Sequence, residues 1–341
     1  MKVQPSPATA TGQPLRVIIP TRNEAEVLPG LLEELRAQQG LALRVTVVDG
    51  QSSDNTVERA RAGGAEVLHS LPGRGLQMNV GWKACTEQAL LFLHADSRLP
   101  HAELLALALQ AWEAEPEHTA GHFRLEFVDT PQPKPRLYRW LEHKSAHNRP
   151  QSFNGDQGLL IRRSLLQQLG GFDHSLPFLE DQAIGAAIHA QGRFITLPGA
   201  LQTSARRFEA EGRAQRYLAM LLIMCARQAG CHSYLRQLPQ LYREQTAIDD
   251  PLDPLPLLLA LREQVQDQPD FWDCMAEYSL EQSWQLPLLL EHLSGLPLLA
   301  GWDRHAHRLH RLPGLRPLLA QALKLAFRDM LPVLLRAQRA D

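Results

Sequence analysis

Ala89-Leu-Leu-Phe-Leu-His-Ala-Asp-Ser97 is the stretch from which the fold is read. Five apolar residues, Ala89 to Leu93, form a short run of the kind carried by a strand buried on both faces, and Pro100 opens a helical pattern just beyond it. A carboxylate is costly inside such a sheet, so Asp96 is expected at the strand's carboxyl end, facing solvent or a ligand. In open α/β sheets that edge is where ligands bind. A carboxylate there can hold a hard divalent cation, which in turn clamps phosphate oxygens. The same residue could instead cap the helix opening at Pro100. One motif does not separate the two readings.

Outward from this strand the chain repeats a single rhythm. Arg16-Val-Ile-Ile-Pro20 is a short apolar strand followed by Thr21-Arg-Asn-Glu24, after which Leu28, Leu31, Leu32 and Leu35 recur at helical spacing. Arg44-Val-Thr-Val-Val-Asp49 is a second strand that finishes on an acid. Gly50-Gln-Ser-Ser-Asp54 is turn chemistry, with Asp54 placed to cap the next helix. Ala65-Glu-Val-Leu-His69 is a third strand, and Pro72-Gly-Arg-Gly75 leads into a helix over 76–88. This alternation predicts a parallel sheet with right-handed crossovers.

After a helix expected over 100–115, His122-Phe-Arg-Leu-Glu-Phe127 alternates strictly, so the sheet is expected to become mixed. Phe153-Asn-Gly-Asp-Gln-Gly158 is a polar, glycine-flanked loop entering a strand over 159–161. A helix over 180–191, a strand over 193–197, a polar strand at Thr203-Ser-Ala-Arg-Arg-Phe208 and a helix over 213–228 follow. From about 245 leucine and proline dominate and no alternation appears; Asp249-Asp-Pro-Leu-Asp-Pro-Leu-Pro256 reads as a linker. The expected division is a loose tail over 1–14, an α/β domain over 15–244 and an all-helical appendage over 245–341. The aromatic residues Phe271, Trp272, Trp284 and Trp302 must pack within that appendage, on the α/β domain, or on another chain, which leaves room for a homo-oligomer or partner.

The bulk numbers narrow the function. Hydrophobic content of 44% with 21% charged residues is that of an ordinary globular protein, and a net charge of -2 gives no case for nucleic acid or an anionic membrane as the main partner. Cys85, Cys225, Cys231 and Cys274 lack paired CxxC spacing and read as reduced thiols rather than a zinc site. The N-terminus has no apolar signal core, and no run approaches the ~18 apolar residues of a transmembrane segment. A cytoplasmic protein is expected.

Three strands end on Asn23-Glu24, Asp49 and Asp96, and in a parallel sheet such ends lie side by side. Three acids distant in sequence therefore converge on one crevice, unless each is an independent cap. Arg74, between two glycines at a helix start, can reach phosphate or stand as a solvated loop charge. His305, His307 and His310, among arginines, read as a basic solvated helix face rather than a metal site.

The ordered set Pro20-Thr-Arg-Asn-Glu24, Val48-Asp-Gly-Gln-Ser-Ser-Asp-Asn-Thr56, His94-Ala-Asp96, Glu180-Asp181 and Arg206-Arg207-Phe208 resembles glycosyltransferase family 2, with its GT-A fold. Gly73-Arg-Gly-Leu-Gln-Met-Asn79, Leu93-His-Ala-Asp-Ser-Arg-Leu-Pro100, Gly155-Asp-Gln-Gly158 and Thr203-Ser-Ala-Arg-Arg207 are similar to a bacterial subgroup, the radical-SAM/selenodomain-associated transferases, also called arsenosugar biosynthesis glycosyltransferases. The resemblance runs from about residue 15 to 243. It implies a GT-A mixed sheet flanked by helices and an inverting, metal-dependent transfer of sugar from a UDP- or GDP-sugar to a small-molecule or lipid-linked hydroxyl acceptor.

Residue by residue, the resemblance assigns Asp49 to the nucleobase and Glu24, within the Pro20-Thr21 motif, to the nucleoside. Asp96 takes the place of the last acid of a DxD metal motif, with His94 in place of the first. That pair suits Mn2+ or Mg2+, or leaves His94 to hydrogen-bond a phosphate. Arg206 and Arg207 are expected near phosphate; adjacent arginines also serve as ion-paired surface features. Phe208 departs from the tryptophan common in related motifs. Inversion needs a base, and Asp181 is the candidate, set among apolar residues; Glu180 and Asp181 could equally be first-turn acids favoured by a helix dipole. Asp156 and Glu180 are acids able to bind the acceptor. The rival functions are a sugar nucleotidyltransferase, whose usual glycine- and lysine-containing loop is replaced here by Thr21-Arg-Asn-Glu24, and a non-catalytic nucleotide-sugar-binding scaffold.

Overall fold

The computed structural model describes residues 14–149, 152–176, 178–241, 251–266, 268, 270–294, 296, 298–310 and 312–327. The chain divides into two compact units that separate between Ser204 and Ala205. In the first unit the expected rhythm is followed: β1 (Leu15–Thr21), α1 (Leu28–Arg36), β2 (Leu43–Asp49), α2 (Thr56–Ala62), β3 (Glu66–His69), α3 (Arg74–Ala84), β4 (Ala89–Phe92) and α4 (Leu104–Glu113). β5 (Thr119–Val128), α5 (Arg136–Ser145), β6 (Leu159–Arg162), α6 (Arg163–Gln168), α7 (Glu180–Gln191) and β7 (Arg193–Ser204) complete it. The seven strands form one sheet in the order β3-β2-β1-β4-β6-β5-β7. β1 lies parallel between β2 and β4, β6 runs antiparallel to both β4 and β5, and β5 is parallel to β7. The expected mixed α/β sheet is present.

Strand alternation divides the buried residues between two cores. Val17, Ile19, Leu91 and Leu93 pack with the leucines of α1 and with Leu104, Leu105 and Trp112 of α4. Ile18, Leu90 and Phe92 face the other way, onto Met78 and Trp82 of α3 and Ile184 and Ile188 of α7. Every residue of β1 and β4 is buried, as sheet faces covered on both sides require.

Four expectations change. The helix anticipated from Pro100 starts at Leu104 with Glu103 at its N-cap, while Arg98 bridges to Gln202. Asp96 therefore does not cap that helix. β7 continues past Pro198-Gly199 to Ser204, because it is the outermost strand, where proline is tolerated. Gly199 takes φ +85°, and a Cβ there would collide with Leu104. The strand anticipated through Thr203-Ser-Ala-Arg-Arg-Phe208 ends at Ser204, and Arg206 and Arg207 instead open a helix.

That helix, α8 (Arg206–Glu211), begins the second unit, with α9 (Arg213–Gln228), α10 (His232–Leu241), α11 (Leu255–Val265), α12 (Phe271–Glu281), α13 (Gln285–Ser294), α14 (Leu298–His310) and α15 (Leu315–Leu325). The boundary anticipated at 244/245 falls inside this unit. Residues 242–250, which hold that boundary, lie outside the described residues, but α9 packs on α10, α11 and α12, and the buried Tyr234 Oη donates to Leu257 O at 3.0 Å. Trp284 packs with Leu288, Leu299 and Trp302. The four cysteines are free, three of them buried. Among the described residues, no helix is long and apolar enough to cross a membrane.

At the amino edge of the sheet lies a buried ion pair that sequence patterning did not reveal. Arg16 on β1 donates from Nη2 to Glu87 Oε1 and from Nη1 to Thr46 Oγ1 and Glu66 Oε2, each at 2.8 Å. Burial alone would raise the Glu87 carboxyl pKa, but the Arg16 hydrogen bond and charge outweigh it and hold the pKa below its ordinary value. A depressed folded-state pKa stabilises above the unfolded value, and that stabilisation is lost as pH falls through the folded one. Arg16→Ala should cost about 3–5 kcal/mol at pH 7, because it strands the buried Glu87 charge. Urea unfolding at pH 7 and in acid should show the difference from wild type shrinking once Glu87 is protonated. A pH-independent difference would mean that Arg16 acts by packing alone.

Candidate active site at the carboxyl edge of the sheet

The loops after β1 and β2 are tied to each other. Asn23 Oδ1 accepts the Ser53 N–H at 2.8 Å, Glu24 N donates to Thr56 Oγ1 at 2.8 Å, and Asp54 Oδ2 accepts Ala25 N–H at 3.1 Å. Asn55 rather than Asp54 is the N-cap residue of α2, and Asp54 instead accepts the Thr56 N–H with Oδ1 at 3.0 Å, so it ties the start of α2 to the loop after β1. Asn23 and Gln51 both take positive φ, a costly backbone state held here on either side of the crevice. Asp49, the last residue of β2, is buried; its Oδ2 accepts Ser52 N–H at 3.2 Å and lies 3.7 Å from His69 Nδ1. Beneath these turns the buried Gln77 of α3 donates to Thr21 O at 2.8 Å and Val48 O at 2.7 Å. Gly50 leaves the space Gln77 fills, since a Cβ there would lie 2.9 Å from its amide carbon.

The second half of the site forms around Arg74, at the first position of α3. Its Nε is 2.8 Å from Glu180 Oε1, and its Nη1 is 3.4 Å from His94 Nε2. His94 Nδ1 in turn meets Asp156 Oδ1 at 2.8 Å, a contact that selects the Nδ1–H tautomer and leaves Nε2 as acceptor toward Arg74. Burial works against a charged His94, but the hydrogen bond to Asp156 and the nearby acids prevail and raise its pKa. Burial likewise opposes the Arg74 charge, and Glu180, Asp181, Asp156 and Asp96 more than restore it. Glu180 touches the guanidinium, and Asp181, Asp156 and Asp96 act on it through their charge.

Glu180 and Asp181, adjacent in the first turn of α7, differ sharply. Glu180 is 2% exposed, and the Arg74 contact lies off the N–H direction, so Oε1 accepts no hydrogen bond. Burial, reinforced by Asp181, pushes the Glu180 carboxyl pKa up against the pull of Arg74. Asp181 is half-buried; Oδ1 takes the Gln182 N–H at 2.7 Å and Oδ2 reaches Gly155 N–H at 2.9 Å in the polar loop. A Cβ on Gly155 would lie 2.6 Å from His94 Nε2, so glycine is what allows this loop its close approach. Leu179, directly before the two acids, is left-handed at φ +71°. An open cleft of about 310 Å³ is lined by Met78, Phe92, Phe153 and Phe172 together with His94, Gly155, Glu180 and Asp181.

Asp96 is exposed beyond the end of β4. Among the described residues no three His, Cys, Asp or Glu side chains converge to hold a metal. Asp96 suits a hard cation whose other ligands are phosphate oxygens and water, a common arrangement for Mg2+. His94 suits it poorly as placed, with one nitrogen on a carboxylate and the other facing a guanidinium.

The first unit thus brings together Arg74, His94, Asp156, Glu180 and Asp181, and lays Pro20, Thr21, Glu24 and Asp49 along the neighbouring strand ends. Arg206 and Arg207 belong to the second unit, at the start of α8. The side chains of His307 and His310 lie outside the described residues, and His305 is exposed. Sequence reading missed the buried amides that set these loops. Gln157 donates to Ser145 O at 2.9 Å and accepts Asn154 N–H at 2.8 Å; Gln182 donates to Phe153 O at 2.7 Å. Asn79 pairs in both directions with the Phe172 backbone. Asn79 lies between apolar Met78 and Val80, but Gln157 lies between Asp156 and Gly158 and carries no such sequence signal.

Residues 16–170 match the family model described as Glycosyl transferase family 2. The 4,4'-diaponeurosporenoate glycosyltransferase of Staphylococcus haemolyticus is 30% identical over 144 residues, 40% of this chain and 36% of its own length. A PGL/p-HBAD biosynthesis glycosyltransferase of Mycobacterium bovis is 36% identical over 97 residues, 26% of this chain and 38% of its own. The chain spans little more than a third of the length of these relatives. Among solved structures, the mannosyltransferase PcManGT of Pyrobaculum calidifontis, in complex with GDP-Man and Mn2+, aligns at 21% identity and TM-score 0.49 over 95% of this chain and 90% of that one.

Proposed function

We propose, from the premise that residues 16–170 form a glycosyl transferase family 2 domain, that the protein moves a sugar from a UDP- or GDP-sugar to a hydroxyl acceptor with inversion at the anomeric carbon. The observation that carries this reading is the charge arrangement around Arg74. Four acids about one guanidinium make a site that repels a bare diphosphate, so the donor is expected to enter with a divalent cation. Mn2+ or Mg2+ at Asp96 would supply the missing positive charge for the leaving diphosphate.

The residues then divide the work. Pro20, Thr21 and Glu24 border the nucleoside and Asp49 meets the base. Arg74, already charged and braced by His94 and Glu180, faces the diphosphate, and His94 in its protonated form donates from Nε2 to phosphate rather than holding metal. Asp181, oriented by the Gly155 N–H, takes the acceptor hydroxyl proton as that oxygen attacks the anomeric carbon. The carbon–oxygen bond to the diphosphate breaks, and a nucleoside diphosphate departs with the bonding pair. Asp156 and Glu180 border the acceptor, whether a small molecule or a lipid-linked hydroxyl. The resemblance alone assigns Arg206 and Arg207 of the second unit to phosphate, and the subgroup resemblance extends the reading to arsenosugars or related glycosides made in the cytoplasm.

A screen of UDP-, GDP- and dTDP-sugars with Mn2+ tests the proposal. One donor class should release nucleoside diphosphate. Donor binding without any release would make the protein a nucleotide-sugar sensor, and pyrophosphate release from a nucleoside triphosphate would make it a nucleotidyltransferase.

A further inference from the structure

Helix α13 presents leucine to solvent. Leu286, Leu290 and Leu293, at i, i+4 and i+7, are 60%, 47% and 53% exposed, whereas Pro287 and Leu288 are buried. Its one acid, Glu291, is partly buried and accepts the Leu299 N–H at 2.9 Å. Surface helices ordinarily show the reverse, with polar residues outside. The pattern continues on α15, where Leu318 and Leu325 share one exposed face, and on Leu296 and Leu312 in the connecting segments. Exposed leucine rows of this kind call for a partner.

Charge identifies which one. Residues 285–341 carry eight Lys and Arg against four Asp and Glu, while residues 1–284 carry 27 against 33. The overall charge of -2 therefore conceals a cationic, leucine-rich end on an anionic body. Arg304 and His305 of α14 are exposed, and Arg316 of α15 is half-exposed and pairs with Glu277 Oε2 at 3.1 Å. Pairing with a second copy would satisfy the leucines but set two cationic segments against each other. An anionic bilayer satisfies both features: leucines enter the acyl boundary while arginine and lysine reach lipid phosphates. Neither α13, of 10 residues, nor α15, of 11, can span a bilayer, which leaves the interface. We propose that the α13–α15 region docks on an anionic lipid surface.

Sedimentation of the full chain with vesicles tests this. It should pellet with phosphatidylcholine vesicles containing phosphatidylglycerol, much less with phosphatidylcholine alone, and progressively less as salt rises. The triple substitution Leu286→Ser, Leu290→Ser, Leu293→Ser removes exposed side chains and should keep the circular dichroism and melting transition. It should lower vesicle binding at least about tenfold. If that variant misfolds, Arg304→Glu with Lys324→Glu should remove the preference for phosphatidylglycerol. Two results would overturn the proposal: wild-type protein that stays in the supernatant with both vesicles, or equal pelleting of the folded variants. A lipid-free dimer that the leucine substitutions convert to monomer would do the same, and would give this face to a second copy.

Discussion

Asp181→Asn is expected to reduce sugar transfer by about 10²–10⁴-fold while donor affinity changes little, as removal of a general base requires. The geometry makes this a demanding test. Both carboxylate oxygens accept backbone N–H groups, one from Gln182 in the same helix and one from Gly155 in the polar loop. The amide of asparagine can accept only one of the two and turns its NH₂ against the other, so a modest loss of thermal stability accompanies the substitution. Single-turnover transfer and calorimetric donor binding separate the effects. A stability loss with normal transfer would return Asp181 to the role of a first-turn helix acid. Glu180 would then be the next candidate, since burial raises its carboxyl pKa above the ordinary value.

The parts of this site that were legible in sequence are those written as local pattern. The five-residue apolar run at 89–93 reads as a strand covered on both faces, and the acids after three strands lie at one edge because parallel strands end together. What sequence could not show depends on partners far apart along the chain. The pairing of Arg74 with Glu180, the grip of Gly155 on Asp181 and the contact of Asp156 with His94 join α3, the end of β4, the polar loop and α7, which lie apart in sequence. Gln77, Gln157 and Gln182 look like ordinary surface amides until the backbone groups they satisfy are buried with them. The segment through Arg206-Arg207 was misassigned because a short polar run after Pro-Gly carries no periodicity to distinguish strand from helix. The division read at 244/245 rests on proline-rich composition, whereas a compact unit is defined by what packs, and α9 packs with helices on both sides of the proline-rich stretch.

Asp96→Asn separates two accounts of the same site by the sign of one effect. Asp96 is exposed beyond β4, so its loss should leave the melting temperature nearly unchanged. If the donor binds without a cation, Asp96 is one of four acids repelling the diphosphate, and neutralising it should tighten donor binding. If the donor binds with a cation, Asp96 is a hard ligand, and the same substitution should weaken binding and lower turnover by about 10²–10³-fold. Calorimetric titration of donor into wild type and variant, each with Mn2+ and with EDTA, reads this directly. The proposed reading expects wild type to lose most of its donor affinity in EDTA and the variant to be weak in both conditions. Tighter binding by the variant, or wild-type affinity that survives EDTA, would remove the cation from the mechanism and leave Arg74 to stabilise the departing diphosphate.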